Sequence, residues 1–91
     1  MSYRRLIFEG DTWDEYERLR STDRVAHRNL VKLLKQMIRE DPARGPGKPE
    51  RLRHGLTGLW SRRITHRDRL IYCFDDESIH VLAIGGHYER P

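Results

Sequence analysis

The sequence of 91 residues contains one cysteine and no long apolar run. A single cysteine, Cys73, excludes a disulfide within the chain, and no cysteine or histidine has the paired spacing of a zinc site. We therefore expect no metal ion or other cofactor, and we interpret Cys73 as a small core residue. No apolar stretch approaches the about 20 residues of a membrane-spanning helix, and the first residues lack the apolar segment of a secretion signal. These absences predict a cytoplasmic protein that does not enter a membrane.

Apolar residues are also few, at 36% of the chain. A chain of 91 residues with this composition can form one modest core and leaves no room for a second domain. The sequence contains neither an internal repeat nor a low-complexity tract. We therefore predict a single domain over residues 1–91.

Positive charge is concentrated in one segment of the chain. Between Arg44 and Arg69 there are eight Lys or Arg residues and two acidic ones, a local charge of +6, whereas the whole chain carries +4. Clustered cations neutralise phosphates and release their counterions, so this asymmetry predicts a binding site for RNA. Inside the segment lies an isolated carboxylate, Glu50, between Pro49 and Arg51. The residues predicted to bind RNA are Lys48, Arg51, Arg53, Arg62 and Arg67.

The first half of the chain has a helical pattern after a short strand at Arg4–Glu9. Thr12–Glu15 has the form of a capping box that begins a helix ending near Arg20. Asp23 can cap a second helix, and Pro42 ends it because the residue before a proline is disfavoured in the α region. We interpret Trp13 as a core residue, and Trp60 as a core residue in preference to a platform on which a base stacks. The second helix carries an apolar stripe at spacings of three and four, consisting of Ala26, Leu30, Leu33, Leu34, Met37 and Ile38.

The second half of the chain has the alternating pattern of strands. A stiff loop over residues 42–49 leads to Glu50, and consecutive hairpins follow over residues 60–65, 69–74 and 79–84. The sequence therefore predicts an α+β fold, with two helices packed on one face of a mostly antiparallel, twisted sheet of four to five strands. On the middle strand Leu70, Tyr72 and Phe74 form the face under the helices. Arg69, Ile71 and Cys73 form the opposite face.

Several short motifs occur in a fixed order along the chain. They are T-W-D at residues 12–14, G-K-P-E at 47–50, G-L-W-S-R-R-I-T at 58–65, R-L-I-Y at 69–72 and H-Y at 87–88. In this order they resemble the YoeB toxins of the RelE/ParE superfamily along nearly the whole chain. The departures are modest, since Gly85-Gly86 precedes the H-Y pair and Glu89-Arg90-Pro91 follows it.

The resemblance implies a role for each matching residue. It makes Glu50 the general base of an RNA-cleaving site. It makes His87 the general acid, with Tyr88 beside it, and Arg63 and Arg69 the cations that stabilise the phosphate. It also implies a RelE/ParE-like fold, which is similar to that of microbial ribonucleases.

The resemblance also implies a function and a set of partners. The protein would be the toxin of a type II toxin-antitoxin system, an mRNA endoribonuclease that acts on the translating ribosome and inhibits translation. Its partners would be the ribosome with mRNA, a cognate YefM-like antitoxin that covers the basic site, and a second copy of the chain in a homodimer.

The implied roles agree with the chemistry of metal-independent RNA cleavage. A base must take the proton of the 2′-OH, an acid must protonate the departing 5′-oxygen, and cations must surround the phosphorane. Glu50 and His87 supply the acid/base pair, and a histidine suits the acid role because it titrates near neutral pH. Arginine keeps its charge throughout and can bind a phosphate through two N–H groups.

Two other functions fit parts of the sequence. A ParE-like inhibitor shares the fold and poisons gyrase without the acid/base pair, and a plain RNA-binding module needs the cations alone. The individual residues also have structural interpretations: Glu50 as a surface ion-pair partner, Arg63 and Arg69 as strand-surface charges, and His87 as a terminal histidine. Glu50 together with His87 favours the enzyme, because a binding module needs neither.

Overall fold

The computed structural model describes residues 3–53 and 58–85 and contains five strands and two helices. In chain order they are β1 (Arg5–Phe8), α1 (Thr12–Thr22), α2 (Arg24–Arg39), β2 (Glu50–Arg51), β3 (Trp60–Arg63), β4 (Arg69–Phe74) and β5 (Ser78–Gly85). None of the helices in these two ranges is long and apolar enough to cross a membrane.

The five strands form one sheet in the order β1-β5-β4-β3-β2. Three of the four strand pairs are antiparallel, and β1 pairs in parallel with β5. Neighbouring antiparallel strands need only short turns, whereas a parallel pair needs a long crossover, and here the chain between β1 and β5 supplies it. The predicted α+β architecture with a mostly antiparallel sheet is confirmed.

The core lies between α2 and one face of the sheet. The stripe on α2 is buried at Ala26, Leu30, Leu33, Leu34 and Met37, and Ile38 packs at its margin. On β4, Leu70 and Tyr72 are fully buried in the same cluster and Phe74 packs against it. The predicted division of β4 into a face under the helices and an opposite face is therefore confirmed.

The two helix starts differ from each other. Asp23 caps α2 as predicted, because its carboxylate accepts a hydrogen bond of 3.1 Å from the N–H of Ala26. The capping box predicted at Thr12–Glu15 is wrong. The hydroxyl of Thr12 instead donates to the carbonyl of Glu9 at 2.7 Å, and Asp11 becomes the N-cap of α1 without a side-chain hydrogen bond.

Two predicted core residues lie outside the core cluster. Trp13 is 50% exposed and stacks on Tyr16, with ring centroids 5.2 Å apart. Cys73 is only partly buried, on the sheet face that no helix covers. Trp60 is partly buried and packs against the core, which agrees with its interpretation.

Candidate active site

A carboxylate and two guanidinium groups share the sheet face opposite the helices. The register places Glu50 opposite Ser61, and Arg63 opposite Arg69. Side chains alternate along a strand, so Ser61 and Arg63 emerge on the same face of β3, and their partners emerge with them. Residues opposite each other in antiparallel strands have Cβ atoms about 4.5–5.5 Å apart. The structure thus brings together three of the five residues predicted to be catalytic.

The two arginines are held differently. Arg69 is partly buried, and its Nη1 donates to the hydroxyl oxygen of Ser61 at 3.2 Å. Arg63 is exposed, and its Nη1 reaches the carbonyl of His66 at 3.4 Å. Arg69 is therefore fixed in direction by a buried hydroxyl, whereas Arg63 remains open to a ligand. Ser61 is a site residue that the sequence interpretation missed, although its strand position between Trp60 and Arg62 indicated its face.

Glu50 is exposed at the start of β2. It takes part in none of the ion pairs found among residues 3–53 and 58–85. Its interpretation as a surface ion-pair partner therefore gains no support from the described residues. A carboxylate on the strand beside Arg63, without an ion pair among the described residues, can accept a proton from a bound ligand.

The predicted acid His87 and its neighbour Tyr88 lie outside the described residues. Gly85, the last described residue, lies opposite Arg69 in the β4–β5 pair. Gly85 precedes His87 by two residues in the sequence, so the last described residue before His87 lies beside Arg69. The roles of His87 and Tyr88 stay predictions.

The cations predicted to bind RNA do not share one face. Lys48, Arg51 and Arg53 are exposed, but Arg51 lies over the ring of Trp60 at 5.6 Å, on the helix side of the sheet. Arg67 is exposed at the β3–β4 turn and lies 3.9 Å from a carboxylate oxygen of Asp23. All four are exposed, and Arg51 lies on the other face of the sheet from Glu50.

Arg62 is a correction to the predicted RNA-binding set. Its side chain has no exposure, because it points from β3 to the helix side of the sheet. Its guanidinium donates hydrogen bonds to protein acceptors only, among them the carbonyls of Pro42, Arg44 and Pro46. A guanidinium enclosed in this way cannot reach RNA.

The loop before Glu50 is held against β3 at Gly47. The carbonyl of Gly47 accepts a hydrogen bond of 2.7 Å from the N–H of Arg63. Gly47 has φ of 87°, and a Cβ there would lie 2.9 Å from the carbonyl oxygen of Arg63, so only glycine fits. The G-K-P-E motif therefore has a structural reason for its glycine, three residues before the carboxylate.

A second cationic surface lies on the helices, away from the Glu50 face. Helix α2 has five Lys or Arg residues and no acidic residue. A groove of about 480 Å³ runs beside it, and Nε2 of His27 in its lining is buried without a hydrogen-bond partner among the described residues. The cations that line the groove are Arg20, Arg24, Arg28, Lys32 and Lys35. The sequence interpretation missed this surface, although the spacing of four residues between Arg24, Arg28 and Lys32 indicated it.

Metal-ligating side chains do not cluster in the part of the chain that the structure describes. Within residues 3–53 and 58–85 no group of three His, Cys, Asp or Glu side chains is placed to hold a metal ion.

Comparison with known proteins identifies the family. Residues 8–88 match the family model of the YoeB-like toxin of bacterial type II toxin-antitoxin systems. Toxin YoeB of Escherichia coli K12 is 40% identical over 84 residues, which cover 92% of this chain and 99% of that protein. Toxin RelK of Mycobacterium tuberculosis is 36% identical over 85 residues, covering 93% and 99%.

Solved structures agree with the sequence comparison. The YoeB dimer from Staphylococcus aureus superposes with a TM-score of 0.85 at 33% identity, covering 96% of this chain and all of that one. The YoeB–YefM complex from the same organism gives a TM-score of 0.82 at 33% identity, covering 93% and 98%. The match extends over the sheet and both helices, including the strands that carry the Glu50 face, and this chain therefore belongs to the YoeB-like toxins of bacterial type II toxin-antitoxin systems.

Proposed function

We propose that this toxin is an endoribonuclease that cuts mRNA on the translating ribosome and thereby inhibits translation. The observation that carries the proposal is the shared sheet face of Glu50, Arg63 and Arg69. A carboxylate beside two permanent cations is what cleavage by the RNA's own 2′-OH requires, since one group removes a proton while the others hold the phosphate. A protein that only blocks gyrase or only binds RNA has no use for the carboxylate.

In the proposed reaction each of these residues, together with His87 and Tyr88, has one role. Glu50 takes the proton of the 2′-OH, and the freed oxygen attacks the adjacent phosphorus. Arg63 and Arg69 stabilise the negative charge of the phosphorane through their N–H groups, of which those of Arg69 are held in place by Ser61. His87 gives a proton to the departing 5′-oxygen, which leaves as a hydroxyl, and Tyr88 stacks on a base beside the cut. The upstream product then ends in a 2′,3′-cyclic phosphate.

The partners belong to the same proposal. The Staphylococcus aureus relatives include a YoeB dimer and a YoeB–YefM complex. We infer by likeness that this toxin forms a homodimer in the cytoplasm and is neutralised by a YefM-like antitoxin. A flexible acidic segment of the antitoxin would complement the cations around Glu50, because disordered chains can wrap a charged surface when they fold upon binding.

The product ends test the mechanism directly. We expect cleavage of mRNA on programmed ribosomes to give 5′-hydroxyl ends downstream and 2′,3′-cyclic or 3′-phosphate ends upstream, because the attacking group is the 2′-OH. Mass spectrometry of the fragments distinguishes these ends, with an RNase A digest of the same mRNA as the control. Fragments with 5′-phosphate and 3′-hydroxyl ends contradict attack by the 2′-OH.

The cations on α2 are proposed to bind ribosomal phosphates and not the scissile one. The double variant Arg28→Ala with Lys32→Ala should weaken ribosome binding. The slope of log affinity against log salt concentration should also become shallower, by the amount expected for the loss of about two phosphate contacts. The cleavage rate at saturating ribosome should stay unchanged, because the helices lie on the other side of the sheet from Glu50. Binding is measured by co-sedimentation at several salt concentrations. Arg5→Ala, an exposed cation on β1, is the control, and equal binding by the double variant and the wild type rules out the assignment.

A further inference from the structure

Arg62 uses its whole donor capacity inside the protein. Its Nε donates to the hydroxyl oxygen of Tyr72 at 3.1 Å, and one Nη1 hydrogen bond goes to the amide oxygen of Gln36 at 2.8 Å. The remaining three hydrogen bonds go to the carbonyls of Pro46 at 2.9 Å, Pro42 at 2.9 Å and Arg44 at 2.6 Å. A guanidinium has five N–H donors, so each of them has an acceptor.

Burial of this cation requires compensation. Arg62 has no exposure, and no ion pair among the described residues includes it. Moving an unpaired charge out of water is costly, and here carbonyl dipoles and neutral side chains supply the stabilisation. A buried apolar residue would avoid that cost. A charge buried at this cost, with all five donors bonded, points to a task that an apolar side chain cannot perform.

The acceptors show what the guanidinium holds. Three of its five hydrogen bonds end on carbonyls of the loop over residues 41–49, which connects α2 to β2. The hydroxyl of Tyr72 also donates to one of these carbonyls, that of Pro42, at 2.6 Å. Gln36 also donates from its amide to the carbonyl of Arg44 at 3.3 Å. The loop is thus fixed by Arg62 of β3 together with Tyr72 of β4 and Gln36 of α2, and the guanidinium of Arg62 makes three of these five hydrogen bonds to it.

The loop ends at Glu50 on β2, and Arg62 lies on β3, the strand that pairs with β2. Arg62 lies between Ser61, the partner of Glu50, and Arg63, the partner of Arg69. Its side chain binds the loop on one face of the sheet, while Ser61 and Arg63 emerge on the other face, opposite Glu50 and Arg69. Strand β3 therefore contacts the loop through Arg62, pairs with Glu50 through Ser61, and pairs with Arg69 through Arg63.

We propose that Arg62 is a positioning residue that sets the place of Glu50 relative to the scissile phosphate. The inference rests on the proposed function, because it concerns the base of that reaction. Arg62 never touches RNA and acts only through the loop. A shift of about 1 Å in a reacting group can cost about 10²-fold in rate, so the loss of this anchor should appear in the chemical step.

A double-variant cycle separates positioning from stability. Arg62→Lys keeps the charge but has three donors in place of five, so it cannot hold the loop carbonyls and its other partners together. The variants are Arg62→Lys, Glu50→Gln and the two combined, assayed by single-turnover cleavage at saturating programmed ribosome. Circular dichroism at the assay temperature gives the folded fraction, and Val25→Ala, an exposed position on α2, is the control.

The expected pattern is non-additive. Arg62→Lys should lower the single-turnover rate by about 10²-fold while ribosome affinity stays at the wild-type value. In the Glu50→Gln background the same change should have little further effect, because there is no base left to misplace. Wild-type cleavage by folded Arg62→Lys overturns the inference. A double variant whose loss of rate equals the product of the losses in Arg62→Lys and Glu50→Gln overturns it as well.

The two proposals fail in different ways. If Glu50→Gln itself cleaves at the wild-type rate, the general base is wrong and the positioning role falls with it. If Glu50→Gln is impaired and Arg62→Lys is not, only the positioning role is wrong.

A milder variant keeps the test decisive should Arg62→Lys unfold. Gln36→Ala removes one acceptor of the guanidinium and one donor to the loop, and alanine preserves the helix. We expect it to lower the rate by about tenfold, in keeping with one lost hydrogen bond to a charged group. A folded Gln36→Ala variant with the rate of Val25→Ala contradicts the inference.

Discussion

Glu50→Gln should lower the single-turnover cleavage rate of ribosome-bound mRNA by about 10²–10⁴-fold. The amide has nearly the same shape as the carboxylate but cannot take a proton, so the change removes the base and preserves its packing. Glu50 is exposed and belongs to no ion pair among the described residues, so we expect little effect on folding.

The controls for this prediction separate chemistry from binding. Ribosome co-sedimentation should give the wild-type affinity for Glu50→Gln, because cations and not this carboxylate meet the phosphates. Glu77→Gln, an exposed acid in the turn before β5, should leave both cleavage and affinity unchanged. A Glu50→Gln toxin that still cleaves mRNA at the wild-type rate would favour the binding-module alternatives, which need no base.

Periodicity explains why most of the fold was predictable. Helix α2 carries apolar residues at spacings of three and four, and every residue of that stripe lies in or against the core. The alternation on β4 likewise placed Leu70 and Tyr72 under the helices and Arg69 on the other face. In both elements the free energy of burial selects one face, so pattern and structure agree.

The wrong predictions, the capping box at Thr12–Glu15 and the RNA-binding role of Arg62, depend on tertiary contacts that residue spacing along the sequence does not show. The hydroxyl of Thr12 donates to backbone carbonyls, to that of Glu9 at 2.7 Å and more weakly to that of Val81 at 3.4 Å, instead of capping the N–H groups of the helix. Arg62 and Arg63 are both basic and adjacent, and composition alone treats them alike. Their opposite faces on β3 separate a buried guanidinium that binds the loop from an exposed one on the face of Glu50.

The proximity of the candidate site residues can be accounted for only where those residues lie on described strands. Glu50, Arg63 and Arg69 were predicted through the motifs, and the sheet register explains their proximity, since they occupy three adjacent strands. Ser61 was missed because a serine between a tryptophan and an arginine carries no signal of its own. Its importance depends on the partner strand that brings Arg69 within reach.

Arg69→Ala should lower the single-turnover rate by about 10²–10³-fold, the usual cost of removing one group that stabilises a transition-state charge. Arg69 is the more firmly held of the two site arginines, because it is partly buried and donates to Ser61 at 3.2 Å. A donor fixed before the reaction loses little entropy when the phosphorane forms, so its removal affects the rate more than substrate binding.

Two further variants decide whether orientation or charge alone matters. Arg69→Lys keeps the charge but lacks the planar pair of N–H donors, so it should recover only part of the rate. Ser61→Ala keeps the arginine and removes its partner, so its loss should be smaller than that of Arg69→Ala and should vanish in the Arg69→Ala background. The assay is single-turnover cleavage with ribosome affinity measured in parallel. Full recovery by Arg69→Lys would reduce the role of Arg69 to a point charge, and wild-type cleavage by Arg69→Ala would remove it from the mechanism.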